Sequence, residues 1–85
     1  MPKSTHTPAY KLLLQALIKA RRDAGVSQVE LSARLGKPQP FVSNLERGVR
    51  RIDLIEFYAI MRALGADPEA VFSQLARKLP KTVSI

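Results

Sequence analysis

SQVELSARLGKPQPFVSNLERG, residues 27–48, contains two short helical patterns joined by a turn. The first pattern opens at Ser27 and Glu30, whose spacing is that of a capping box, in which each side chain bonds the other's free backbone N–H. It ends at Gly36, and the second pattern, at about residues 39–47, also ends before a glycine. Glycine readily adopts the left-handed backbone that terminates a helix. The stretch therefore predicts two short helices packed across a tight turn.

The inward and outward faces of these two helices carry different residues. The residues that point inward are apolar, namely Leu31, Leu35, Val42 and Leu45. The residues that the second helix turns outward are Gln39, Pro40, Ser43, Asn44 and Arg47. Small Ser32 lies where the second helix crosses closely over the first. This spacing indicates a helix-turn-helix unit, whose outward side chains are predicted to meet base edges and phosphates in the major groove of DNA.

Further helices are predicted on both sides of this unit. They cover about residues 8–24, 54–64 and 68–79, and each begins after a capping residue, Thr7, Asp53 (in a box with Glu56) or Asp67. No segment alternates as a strand does, so an all-α chain of five helices is predicted. The apolar residues of the fourth helix read as core, or as core plus a partner surface: Phe57, Tyr58, Ile60, Met61 and Leu64. Residues 1–6 are predicted to be a flexible N-terminal tail and residues 80–85 a C-terminal tail.

The charge balance favours a polyanionic partner. The chain of 85 residues has 14 Lys and Arg against 7 Asp and Glu, a formal net charge of +7. Nucleic acid is the commonest partner for such a domain, although a soluble domain that is simply basic remains an alternative. Arg47, Arg50 and Arg51 lie just past the second short helix, which favours contacts with phosphates.

Other classes of protein fit the sequence poorly. No apolar run approaches the roughly 20 residues of a membrane helix, and with no cysteine and no signal-peptide pattern the expected location is the cytoplasm. The single histidine, His6, falls in the predicted tail, where nothing holds it beside a serine. No cluster has metal-ligand spacing, and no glycine-rich phosphate loop is present. We therefore expect no enzyme, no metal and no cofactor.

Four motifs in combination resemble one family. They are R-x-x-x-G-x-S-Q at residues 21–28, E-L-x-x-x-L-G at 30–36, Q-x-x-V-S-x-x-E-R-G at 39–48 and A-L-G-x-D-P at 63–68. With them, the chain from about residue 14 to 72 resembles the Cro and phage-repressor family of helix-turn-helix proteins, often called the XRE family. The resemblance implies a compact five-helix bundle of the phage-repressor DNA-binding domain type over residues 7–79, with the helix-turn-helix motif at about 28–47.

The resemblance also implies roles for individual residues. Gln28 matches a glutamine that contacts a phosphate and braces the recognition helix, and Arg21 and Glu46 match a structural ion pair. Gln39 matches the first base-reading position and is followed by Pro40, Ser43 and Asn44. The DNA-binding candidates are Gln28, Lys37, Gln39, Pro40, Phe41, Ser43, Asn44, Arg47, Arg50 and Arg51. Among them, Phe41 belongs either to the core or to a contact with the sugar–phosphate backbone.

Three residues depart from the family pattern. Pro38 stands where a Ser or Thr usually caps the recognition helix, so the bond from that cap is lost. Pro40 replaces a residue that is often polar, and it offers only an apolar surface, for example to a thymine methyl group. Lys37 replaces a commonly apolar residue of the turn. The two prolines affect where the recognition helix starts, because residues before proline avoid the helical region.

The sequence predicts a regulator that binds double-stranded DNA sequence-specifically, as a repressor that acts as a homodimer on a palindromic operator. Because family members pair through their C-terminal region, the resemblance implies a dimer interface at Val71, Phe72, Leu75 and Leu79. One alternative is an antitoxin or controller protein that binds its own operator and also a protein partner, such as a toxin or polymerase. The other is a protein-interaction module without DNA, against which the arginine cluster counts.

Overall fold

The computed structural model describes the backbone of residues 3–85 and the side chains of residues 5–85. A turn of 3-10 helix, Lys3–His6, precedes five α-helices: α1 (Pro8–Asp23), α2 (Gln28–Arg34), α3 (Pro40–Glu46), α4 (Leu54–Leu64) and α5 (Pro68–Lys78). Over this described range the chain forms no strand, and the predicted all-α, five-helix fold is confirmed. The most extensive contacts between two helices are those of α2 with α3, while α1 contacts α3, α4 and α5.

The helix starts follow the predicted caps, with one difference. At α4 both halves of the capping box between Asp53 and Glu56 are present. At α2 the Ser27 side chain accepts the backbone N–H of Glu30 at 3.0 Å. The carboxylate of Glu30, however, pairs with Arg34 one turn further along the same helix. The predicted box at α2 is therefore only half formed, because an (i, i+4) ion pair competes for the glutamate.

The predicted flexible tail over residues 1–6 needs a correction. Lys3–His6 form a helical turn, and Thr5 is buried, with its hydroxyl donating to the carbonyl oxygen of Gly48 at 2.8 Å. Gly48 has a φ of +75°, and a Cβ there would lie 3.3 Å from Thr5 Oγ1. This segment thus packs against the end of the helix-turn-helix unit. The remainder of the predicted tail, Met1 and Pro2, lies outside the described residues.

The core lies between the helix-turn-helix unit, α1 and α4. The buried apolar residues include Tyr10, Leu17, Val26, Leu31, Val42, Leu45, Ile52, Phe57, Ile60, Met61, Leu64 and Leu75. Leu35 is half-buried and packs against this cluster. The predicted inward face of the helix-turn-helix unit is therefore the face that α2 and α3 bury. Of the five apolar residues predicted on the fourth helix, Tyr58 alone is exposed.

Ser32 on α2 caps α3 across the turn. The residue at the N-cap of α3, Gln39, has a helical backbone, and its side chain makes no cap bond. Instead, Ser32 Oγ accepts the backbone N–H of Val42 at 3.2 Å and donates to the carbonyl oxygen of Gln39, also at 3.2 Å. Val42 is the third helical residue, whose N–H a Ser or Thr cap would otherwise accept. The hydroxyl of Ser32 thus makes the cap bond that the side chain of Gln39 does not make, and the N-cap of α3 lies at Gln39 and not at Pro38, where the family pattern had placed it.

Ser32→Ala is expected to lower the free energy of unfolding by about 1–3 kcal/mol, because it leaves the buried N–H of Val42 without an acceptor. Ser32 is 1% exposed, so water has little access to the vacated amide. Denaturant unfolding measures the change. The control is Ser43→Ala, whose hydroxyl donates to the Pro40 carbonyl oxygen in an exposed setting, and it should cost less than about 0.5 kcal/mol. Equal midpoints for the two variants would contradict the capping role.

Candidate nucleic-acid interface

The outward face of α3 presents the predicted base-reading residues. The inward residues of α3, Val42 and Leu45, are buried, so the opposite side of this short helix faces solvent. Gln39 and Pro40 at its start are exposed, as is Lys37 in the preceding turn. Ser43 and Asn44 are half-buried, and Arg47 at the helix end is exposed. The predicted base-reading residues therefore share one surface that a groove of nucleic acid can approach.

Arg47 and Asn44 are joined on that surface. Arg47 Nη2 donates to Asn44 Oδ1 at 2.7 Å, while Arg47 Nε donates to the carbonyl oxygen of Ser43 at 3.4 Å. An asparagine amide carries an acceptor oxygen and an NH₂ group with two donors. Arg47 occupies one of the two lone pairs of that oxygen, so the Asn44 amide keeps one acceptor site and its NH₂ donors for another molecule.

Glu46 at the end of α3 is the centre of a hydrogen-bond cluster. Arg21 of α1 donates to it twice, from Nε to Oε2 at 2.7 Å and from Nη2 to Oε1 at 3.0 Å. Arg21 Nη1 also donates to the carbonyl oxygen of Val26 at 3.0 Å, and Gln28 Nε2 donates to Glu46 Oε1 at 2.8 Å. The Arg21 and Glu46 side chains are only 11% and 7% exposed. The hydrogen bond to Glu46 raises the pKa of Arg21 despite its burial. The cluster fixes α1 and the start of α2 to the end of α3.

Arg50, in the loop after α3, pairs with the first turn of α4. Its Nη2 and Nη1 atoms lie 2.7 Å from Glu56 Oε2 and 3.0 Å from Glu56 Oε1. The guanidinium carbon lies 5.0 Å from the ring centroid of Phe41, and Lys37 Nζ lies 5.5 Å from the same centroid. Phe41 itself is half-buried against the core. The hydrogen bond from Arg50 lowers the pKa of the Glu56 carboxyl, so this glutamate stays ionised.

Arg51 points toward α1 instead. Its guanidinium carbon lies 5.0 Å from the ring centroid of Tyr10. The Tyr10 hydroxyl accepts the backbone N–H of Ile52 at 2.9 Å, which ties this loop to the first helix. The three arginines of the loop region are thus exposed, but each contacts a different helix. Arg47 contacts α3, Arg50 contacts α4 and Arg51 contacts α1.

The predicted dimer interface is largely inside the protein. Leu75 is buried, Val71 packs against the core and Leu79 is half-buried, because α5 uses this stripe to cover the bundle. Phe72 is the exposed member of the set. Three residues of α4 are exposed beside it, so that Leu54, Ile55, Tyr58 and Phe72 have exposed fractions of 73%, 75%, 54% and 51%. Together they line one apolar groove.

We call these four residues the α4–α5 apolar surface. The signal in the sequence is the run LIEFYAIM at the start of the fourth helix, which carries apolar residues around most of its circumference. A helix that covers one side of a core needs apolar residues along a single stripe. The additional apolar residues on α4 therefore indicate a second apolar contact, beyond the one with the core.

Two further observations concern the described part of the chain. Within residues 3–85 no helix is long and apolar enough to cross a membrane. The same residues contain no group of three or more His, Asp or Glu side chains that could hold a metal ion.

Comparisons with known proteins agree with this geometry. A family model described as helix-turn-helix matches residues 17–71. Over 55 residues, 65% of this chain and 71% of the other, the sequence is 40% identical to a protein of Sinorhizobium fredii called uncharacterized HTH-type transcriptional regulator y4dJ. A solved structure titled XRE-family like protein, from Pseudomonas syringae pv. tomato, is 47% identical. It superposes with a TM-score of 0.80 over 92% of this chain and 98% of that one.

Proposed function

The chain belongs to the XRE family of helix-turn-helix proteins, and on that basis we propose that it is a transcriptional regulator that binds double-stranded DNA sequence-specifically. The observation that carries the proposal is the polar outer face of α3, next to exposed arginines on a chain of net charge +7. The proposed action is occupancy, in which the bound protein covers a promoter and represses it. This role needs no catalytic step and no cofactor, and it would be performed in the cytoplasm.

We assign the base contacts to the outer face of α3. Gln39, Ser43 and Asn44 offer hydrogen-bonding groups, and an amide suits adenine because it presents a donor and an acceptor together. Pro40 would contact a thymine methyl group. The phosphate contacts are assigned to Gln28, Lys37, Arg47 and Arg51, with the ring edge of Phe41 beside the sugar–phosphate backbone. Selecting bound sequences from a random DNA pool tests the function; enrichment of no sequence would contradict it.

Asn44→Ala is expected to relax preference at one base position of the selected site, with a loss of roughly 1–3 kcal/mol in discrimination. The dependence of binding on salt should stay unchanged, since no phosphate contact is removed. The matched comparison is Arg51→Ala, which should weaken binding to all sequences alike and reduce the salt slope by about one unit. Binding measured against single-base variants of the site distinguishes the two. An equal weakening on every sequence by Asn44→Ala would show that it reads no base.

We propose that the regulator is a homodimer. One small DNA-binding module buries on the order of 600–1,000 Å², which is little for a specific regulator. A two-fold pair would place its two α3 helices about 34 Å apart, one turn of DNA, and would select a palindromic site.

The α4–α5 apolar surface is the pairing face that we propose. Single exposed apolar residues are ordinary, but a contiguous group of large ones is typical of interaction sites. Electrostatics favours the same place, because two copies that each carry +7 repel one another. The one charged residue that lines this groove is Glu69, which is acidic. Two copies that meet at this groove would therefore not bring together basic residues that line it.

An antitoxin or controller protein is the second candidate function, and the same surface favours it. Such a protein would bind its own operator through α3 and a protein partner, such as a toxin or polymerase, through its apolar face. The two candidates differ in what occupies that face when the chain is alone. A chain that is monomeric with and without DNA would favour the second candidate.

A further inference from the structure

We propose that Arg50 is a positioning residue and not a phosphate ligand. It fixes the start of α3 and thereby affects which DNA sequence the protein prefers. This inference rests on the proposed function, because it concerns how the same face binds DNA. It separates Arg50 from Arg47 and Arg51, with which the sequence grouped it.

The first step is that Glu56 is itself immobilised. Its Oε1 atom accepts the backbone N–H of Asp53 at 3.0 Å, while the Asp53 side chain accepts the backbone N–H of Glu56 at 2.7 Å. The carboxylate is thereby fixed on the first turn of α4, where it is 20% exposed. Arg50 meets it with two parallel contacts, and a forked pair of this kind sets the orientation of the guanidinium as well as its position.

The second step is that the oriented guanidinium lies against α3. Phe41 is in the first turn of α3, directly after Pro40 and two residues after Gln39. A guanidinium over an aromatic ring is attracted to its face and restricts where the ring can move. Arg50 therefore links the first turn of α4 to the first turn of α3, at the end where the proposed base-reading residues begin.

The third step concerns charge. Arg50 and Glu56 together carry no net charge, so bringing the pair up to a phosphate adds little to the release of counterions that drives non-specific binding. The Arg50 side chain is also 45% exposed, and an ion pair this exposed adds little to folding stability. The role left for the ion pair is to fix the position of α3. A small displacement of α3 weakens contacts with base edges, whose directions are strict, more than contacts with phosphates.

Charge-conserving variants test the inference. Arg50→Lys keeps the positive charge but loses the forked pair and the flat surface over Phe41. Arg22→Lys is the matched control, since Arg22 is exposed on α1 and is not among the proposed DNA-binding residues. We expect Arg50→Lys to reduce the preference for the selected site over random DNA roughly tenfold. Its affinity for random DNA and its salt slope should equal those of the wild type. Arg22→Lys should leave all three quantities unchanged.

Two more variants extend the test. Glu56→Gln should lose the same preference, and combining it with Arg50→Lys should add no further loss, because the two residues act as one unit. Phe41→Leu retains the ion pair and an apolar side chain but removes the ring face, and it should lose preference in the same way. All variants are checked for folding by circular dichroism before binding is measured.

Several outcomes would overturn the inference. If Arg50 grips a phosphate, Arg50→Lys will bind the selected site as the wild type does, and Glu56→Gln will strengthen binding by releasing a competitor. If Arg50 acts on stability alone, the unfolding midpoint will fall while the preference for the selected site stays unchanged. A wild-type chain that enriches no sequence from the random pool is a different result, which contradicts the proposed function itself.

Discussion

Glu46→Ala is expected to lower the free energy of unfolding by about 3 kcal/mol or more. The substitution leaves the guanidinium of Arg21 nearly buried without its carboxylate, and it also removes the acceptor of Gln28. An uncompensated charge in such a setting costs several kcal/mol, because the protein cannot supply the solvation that water gave it. Urea or guanidinium unfolding followed by circular dichroism measures the loss as a shift of the midpoint.

Two controls distinguish the cost of leaving a buried charge unpaired from the cost of breaking an exposed ion pair. Asp23→Ala breaks the ion pair of Asp23 with Lys19, whose side chains are 64% and 68% exposed, and it should cost less than about 1 kcal/mol. The double variant Arg21→Met with Glu46→Leu removes both charges and fills their space with apolar groups. It should recover much of the loss, as replaced buried pairs do. If Glu46→Ala shifts the midpoint no more than Asp23→Ala, the ion pair does not stabilise this fold.

If the proposed dimer forms, Ile55→Asp is expected to convert it to a monomer. The variant should then lower affinity for the proposed palindromic site by about a hundredfold or more, which is the gain that linking two binding heads provides. In a two-fold interface each substitution occurs twice, so two carboxylates would be buried in the interface without partners. Affinity for an isolated half-site should not change. Light scattering during size exclusion gives the assembly state, and footprinting gives the length of the protected site.

Gln15→Asp is the control for the added charge, since Gln15 is exposed on α1 and is not part of the α4–α5 apolar surface. It should leave the dimer intact. A wild-type protein that is monomeric with and without DNA, and that protects a single half-site, would rule out the dimer. A dimer that survives Ile55→Asp would show instead that the pairing face lies elsewhere on the chain.

Helix ends and the helix-turn-helix core could be predicted from the sequence because both depend on neighbouring residues. Glycine after a helix and an acceptor before it act within one turn, so Gly36 and Asp53 had direct structural consequences. The inward positions of α2 and α3 follow from helical periodicity. The partnership of Arg21 with Glu46 did not follow from local pattern; the resemblance to the family supplied it.

The features that were missed depend on contacts between distant residues. Thr5 and Gly48 are separated by 43 positions, and nothing near Thr5 in the sequence marks it for burial. Small Ser32 was expected to allow close helix crossing, while its hydroxyl was not assigned a role. On α5, periodicity identified an apolar stripe without telling whether the core or a partner covers it. The packing of α5 on the bundle shows that Leu75 is buried and Phe72 is exposed.

The cap that Ser32 provides has a consequence for retargeting the protein to new DNA sequences. Both of its hydrogen bonds are to backbone atoms, the carbonyl oxygen of Gln39 and the N–H of Val42. The start of α3 is therefore secured from its hidden side, without a cap bond from the side chains at positions 39, 43 and 44. The hydrogen bonds of Ser43 with Pro40 and of Asn44 with Arg47 both lie in exposed settings. A library randomised at those three positions should retain most of its members as folded proteins. Selection can then choose among side chains for what they bind, because the cap of the helix that displays them does not depend on them.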